Sequence, residues 1–231
     1  MRTTSILTAT AIAGTLIALA TGPVFAQGQN VGESIMNLGE DLDAILNLLE
    51  PKTIFVTSEL FTGDLVTEAN KLPGNAFAAS EGLEAGDALC QNLADVDGSI
   101  VPEGEYVALL STEDVNAAAR LTPSIGPYVR PDGLPIAADF VALFSVDLFS
   151  DDFNLINPIG RDELGEVSFG VVWTGTFASG MGSGVDCLQW TSGDGGLQAG
   201  RIGFNGNVDA RWLSVANQRC DVPSRLYCAQ R

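Results

Sequence analysis

Four cysteines, Cys90, Cys187, Cys220 and Cys228, follow an export-type opening segment in this 231-residue chain, and no other feature limits its fold as much. Outside a reducing compartment, an even number of cysteines without C-x-x-C spacing predicts structural disulfides rather than free or metal-bound thiols. Four cysteines allow three pairings, and spacing alone does not choose among them. Export is read from residues 1–26: Arg2 gives a positive start, residues 6–20 are mostly Ile, Leu, Ala and Thr, and Val24-Phe25-Ala26 suits a signal peptidase. The apolar core of about 15 residues is shorter than the roughly 20 that span a bilayer, so the segment predicts cleavage after Ala26 rather than an anchor. No cysteine near the junction suggests a lipid anchor, and no later stretch reads as a transmembrane helix. The expected destination is secreted, periplasmic or cell-surface.

Apolar residues at 46% are enough for one packed domain, and 26 glycines with only 17% charged residues describe a loop-rich, strand-containing chain. The absence of histidine removes Ser-His-Asp and Cys-His nucleophiles and His-ligated zinc or haem. A formal charge of −18 opposes phosphate backbones, sulfated glycans and anionic lipid, so nucleic acid is not an expected partner.

After the signal segment, residues 27–51 form a leader. Val31, Ile35, Leu38, Leu42, Ile45 and Leu49 alternate spacings of four and three, as in an amphipathic or coiled helix, and Pro51 stops it. A short oligomerising neck is one reading. The favoured one is a helix docked on its own domain, because Glu33, Glu40, Asp41, Asp43 and Glu50 have no basic counterpart in the segment and identical strands would repel. From residue 52 to 231 the texture is that of one domain. Strand-like runs occupy Thr53–Ser58, Tyr106–Leu110, Phe140–Phe144 and Val167–Thr174. Residues 84–94 read as a helix burying Ala85, Ala88, Leu89 and Leu93, and Ser111 with Asp114 reads as the cap of a second helix ending near Arg120. Pro123, Pro127, Pro131 and Pro135 predict an irregular loop over 122–136, and Gly180–Gly184 a flexible one. The acid-rich stretch 132–166 and the arginine-rich stretch 201–231 are expected to face each other.

The order of the remaining landmarks carries a resemblance. A strand ending Val171-Val172-Trp173-Thr174-Gly175-Thr176 precedes Cys187-Leu188-Gln189-Trp190, then Trp212, Cys220 and Leu226-Tyr227-Cys228. With the helix around Cys90 and the strand from Tyr106, this resembles the C-type lectin-like fold, in particular the endostatin domain of collagens and a related bacterial lectin-like family of unknown function. The resemblance covers about residues 53–231. It implies an α+β fold with two helices, short antiparallel strands and long irregular loops, and a nested pairing of Cys90 with Cys228 and Cys187 with Cys220. Trp173, Trp190 and Trp212 are expected mainly in the core. Tyr128 beside Arg130, with Trp190 and Trp212, are the candidates for ligand contact.

Calcium-dependent sugar-binding members of that fold carry a Glu-Pro-Asn or Gln-Pro-Asp triplet and a Trp-Asn-Asp triplet, and neither occurs here. Asp95 with Asp97, and Asp147 with Asp151 and Asp152, remain as weak calcium candidates, because hard oxygen ligands suit that ion. The zinc site and heparin-binding patches of endostatin are not expected without histidine and at this charge. A carboxylate-pair glycosidase survives as an enzymatic reading only because acids are abundant. The expectation is therefore an exported, non-enzymatic binding or adhesion module for an extracellular glycan or protein. The alternative is a structural surface protein oligomerised through its leader helix.

Overall fold

The structure is a computed structural model in which residues 45, 46, 48–73, 81–144 and 155–231 are described. The signal segment, most of the leader, Asp147, Asp151 and Asp152 lie outside the described residues. The chain divides into two compact units, Met1–Ile45 and Leu46–Arg231.

Eight strands in the second unit form one mixed sheet: β1 (Lys52–Val56), β2 (Tyr106–Ala108), β3 (Tyr128–Val129), β4 (Pro135–Ala137), β5 (Val171–Trp173), β6 (Ala199–Phe204), β7 (Ala216–Arg219) and β8 (Arg225–Gln230). The order is β4-β3-β1-β8-β5-β6-β7, with β2 also paired to β8. The C-terminal strand is therefore the centre of the molecule. Cys228 lies opposite Phe55 of β1 on one edge and Ala108 of β2 on the other, both antiparallel, while β5 joins β8 in parallel through Val172 and Trp173.

Successive side chains of a strand point to opposite faces, so a strand apolar at every position must be covered on both. β1, β2, β5 and β8 behave this way. Phe55, Tyr106, Ala108, Trp173, Leu226 and Cys228 enter one core, whereas Ile54, Val56, Val107, Val172, Tyr227 and Ala229 enter the other. Helix α1 (Leu65–Ala69) and helix α2 (Gly82–Ala94) cover the first face. Small residues let α2 approach closely: a Cβ at Gly86 would lie 3.1 Å from that of Ala108. Asp87 and Gln91 of α2 accept the Ala108 and Tyr106 amides at 2.8 and 2.9 Å, completing hydrogen bonds that an edge strand would leave open. The second face is covered by short elements and the loops between them, among them Leu121, Tyr128, Ile136, Leu143, Leu155, Ile159 and Trp212.

Bridges Cys90–Cys228 and Cys187–Cys220 are both formed, in the nested order the resemblance implies. The fold is mixed α/β, consistent with the α+β expectation. Several local expectations are corrected. Phe140–Phe144 is helix α4 rather than a strand, because Asp139 accepts the Ala142 amide through its side chain (2.7 Å) and the Leu143 amide through its carbonyl. Ser111 does not cap a helix at once. Only Ala117–Arg120 is helical (α3), and Ser111 Oγ reaches the Ala117 amide at 2.8 Å across the intervening loop. The proline-rich stretch contains β3 and the start of β4: Pro123, Pro127 and Pro131 lie outside the strands, and Pro135 is the first residue of β4, an edge strand. Gly180–Gly184 forms a pinned turn, with Gly182 N donating to Asn116 Oδ1 at 2.7 Å. The acidic and arginine-rich segments do meet, Leu155 N on the Val208 carbonyl at 2.8 Å and Phe144 against Trp212, but their charges do not pair among the described residues: Arg211 and Arg219 hold Asp209 and Asp221 two residues away, and Arg130 and Arg161 hold Asp132.

Candidate functional site

The sequence-predicted contact residues do not gather at a site. Tyr128, Trp190 and Trp212 are buried, so no indole or phenol face is open to a ligand. Trp190 donates its indole N–H to the Ser111 carbonyl at 2.9 Å, Trp173 packs 5.7 Å from it, and Trp212 sits against Tyr227. Burial raises the Tyr128 phenol to about 12, in keeping with a core role. Arg130 is spent on Asp132, whose carboxyl its guanidinium holds below the usual range. Asp95 accepts from Gln91, Asp97 is exposed, and among the described residues no three acidic or sulfur ligands converge.

A different place stands out, and it begins with backbone conformation. Cys187, Leu188, Gln189 and Trp190 have φ of 52°, 54°, 56° and 65°, a left-handed helical turn made entirely of residues with side chains. Clash between Cβ and the following carbonyl costs roughly 1–2 kcal/mol for each such residue, so runs of four require strong surroundings. They are visible. Asp186, itself buried, accepts the Gln189 amide through its side chain (3.0 Å) and the Trp190 amide through its carbonyl (2.7 Å). Its second carboxylate oxygen accepts the Glu113 amide at 2.9 Å. Thr191 closes the turn onto the Leu188 carbonyl at 2.6 Å. Gly82 lies directly against the Gln189 carbonyl, where any side chain would collide with the turn. At the first residue of the turn the Cys187–Cys220 bridge ties the chain to the end of β7, with Gly63 and Gly200 closely packed on its sulfur.

The turn forms one wall of a cleft of about 270 Å³. The N-terminus of α2 contributes Glu81, Gly82 and Leu83, the loop after β2 contributes Thr112, Asp114 and Val115, and the turn contributes Gln189 and Thr191. Glu81 caps α2 by position but makes no side-chain cap bond, and none of the ion pairs among the described residues involves Glu81 or Asp114. Gln189 Nε2 reaches Asp114 Oδ2 at 3.3 Å. The cleft thus offers carboxylate, amide and hydroxyl groups between two apolar side chains, Leu83 and Val115, which suits non-covalent binding.

A second cleft of about 340 Å³ follows the other end of α2, lined by Glu84, Asp87, Gln91, Glu105 and Tyr106. Most of its polar groups are committed, Asp87 to Ala108 N and Arg120, Gln91 to Tyr106 N, and Glu105 to Arg231, and no left-handed turn borders it. No protein-family model and no curated protein matches this chain. The first cleft, bordered by the left-handed turn, is the candidate site. Nothing in the sequence marked it, because a left-handed turn without glycine has no compositional signature and its lining comes from three separated segments.

Proposed function

We propose that this protein is an exported, non-enzymatic binding or adhesion module of C-type lectin-like, endostatin-related fold, and that the cleft between Glu81, Asp114 and Gln189 receives its extracellular ligand, a glycan or protein. The observation that carries this reading is the four-residue left-handed turn held against that cleft. Unfavourable backbone geometry maintained by a bridge, a buried carboxylate and a glycine contact is typical of places where shape serves function. The two bridges and the order of tryptophans and cysteines support the lectin-like assignment.

Calcium-independent binding fits the lining, which has Glu81 and Asp114 but no third acidic ligand. The glycosidase reading draws less support. Of the three buried acids among the described residues, Asp162 is engaged by the Leu164 and Glu166 amides, Glu163 by the Ser58 amide and hydroxyl, and Asp186 by the Glu113 and Gln189 amides, so all three serve loop structure. The second reading, self-assembly through the leader, draws on the exposure of the Leu46, Leu48 and Leu49 side chains at the leader's end, which is held to residues 124–126 through the Leu48 carbonyl. Glycan and matrix-protein arrays, run with calcium and with chelator, test the main reading. Expected is a hit that survives chelation, is not cleaved, and weakens at least about tenfold in Gln189→Ala and Asp114→Ala, the scale of one lost polar contact. Binding unaffected by both substitutions would remove the cleft from consideration.

A further inference from the structure

We propose that the Cys187–Cys220 bridge is the switch that forms the cleft: the dithiol protein lacks the left-handed turn, and the turn forms when the bridge closes. This inference deepens the binding reading above and rests on it for its functional meaning, though not for its structural test. The restraints on the turn fall into two groups. One carboxylate oxygen of Asp186, the Thr191 hydroxyl and the turn's own carbonyls bond within six residues, and such local bonds are equally available to a right-handed or open turn. The long-range restraints fix its hand: the Glu113 amide on Asp186, the packing of Gly82 on the Gln189 carbonyl, the seating of Trp190 beneath α2 with its indole N–H on the Ser111 carbonyl and, the one covalent tie among them, the bridge from Cys187 to Cys220. The bridge acts on the first left-handed residue itself, and β6 holds its other side through the contact of Gly200 with the Cys187 sulfur. Without the covalent tie, the exposed Leu188 has no packing that holds it left-handed, and Gln189 keeps only the Gly82 contact at its carbonyl and the Asp114 bond of its side chain.

The chemistry balances as thiol–disulfide exchange. Cys187 and Cys220 thiols give two protons and two electrons to an external disulfide, which leaves as two thiols, and one sulfur–sulfur bond forms as one breaks. Such an oxidant belongs to the compartment that export predicts. Ligand competence would then be acquired on leaving the reducing interior, and the polar side chains of the cleft would not be assembled before that point. Cys187 and Cys220 are buried once joined, which keeps the switch closed.

The test compares backbone amide exchange of residues 187–192 and the Trp190 indole NMR signal in the mature protein and in Cys187→Ala/Cys220→Ala, with the amides of β1 and β8 as the reference for global folding. Expected is exchange faster by more than about tenfold over the turn, the ratio that a single residue's left-handed penalty corresponds to, with a shifted Trp190 indole and unchanged β1 and β8. Wild-type protection across the turn in the double alanine variant would overturn the proposal. Should that variant fail to fold, Leu188→Gly in the bridged protein decides: Leu188 is exposed and outside the cleft lining, so relief of its backbone penalty should raise the melting temperature by a few degrees. No rise, or a fall, would mean that the turn is not held against its preference. If the arrays find no ligand, the binding reading fails while the exchange result still stands.

Discussion

Glu163 shows how a single side chain can be placed for structure while carrying an electrostatic cost. It is buried, its carboxylate accepts the Ser58 amide at 3.0 Å and the Ser58 hydroxyl, and its backbone carbonyl accepts the Ile100 amide at 2.9 Å. Burial pushes its carboxyl above the ordinary value of 4.5, an effect only partly offset by the Ser58 bonds. An acid whose folded-state value is raised binds its proton more tightly when folded. Its stabilising contribution is complete below 4.5 and is lost as pH climbs through the raised value. Glu163→Gln cannot ionise, so its stability relative to wild type should improve steadily as pH rises from about 4 to 7. Urea unfolding of both proteins across that range is the measurement. A constant difference, or one shrinking with pH, would show that desolvation does not govern this residue.

At the scale of elements, α2 and the left-handed turn depend on one missing side chain. Gly82, the first residue of α2, faces the Gln189 carbonyl and stands where its Cβ would come 2.5 Å from that of Trp190. Gly82→Ala must push helix and turn apart, and overpacking of this kind costs about 1–3 kcal/mol. The expected result is a lower urea midpoint with unchanged slope, together with loss of whatever binding the arrays detect. A neutral Gly82→Ala would mean that the two elements have room to separate. The same region marks the limit of sequence reading. Helix α2 was legible because Ala85, Ala88, Leu89 and Leu93 follow the helical period, and β1 because Ile54-Phe55-Val56 is apolar without interruption, whereas Leu226-Tyr227-Cys228 was legible only as a landmark of the resemblance. Phe140–Phe144 is equally apolar, and a run of that length does not distinguish strand from helix; the capping Asp139 decided it. The cleft was not legible at all, since its hand is set by contacts between Cys187, Gly82 and Ser111, which are far apart along the chain.

For the whole molecule, the two bridges do different work, and the difference follows from where they attach. Cys90–Cys228 joins the middle of α2 to the central strand and closes a separation of 138 residues, whereas Cys187–Cys220 closes 33. In the chain-entropy model these loops restrict the unfolded chain by about 5 and 4 kcal/mol respectively, and because the loops are nested the two effects are not additive. The outer bridge also lies where both cores and four strands meet, since β8 pairs with β1, β2 and β5. Opposing this, a formal charge of −18 repels itself across the folded surface, and most of the ion pairs join neighbours in sequence that the unfolded chain also keeps close. Cys90→Ala/Cys228→Ala should therefore lose more global stability than Cys187→Ala/Cys220→Ala, and it should regain part of it as salt rises from about 0.01 to 0.5 M, because screening weakens the repulsion that the lost bridge no longer resists. Thermal unfolding of both double variants at the two ionic strengths checks the order and the salt response. Equal losses, or a salt effect of opposite sign, would mean that the central strand is secured by packing alone and that net charge does not limit the fold.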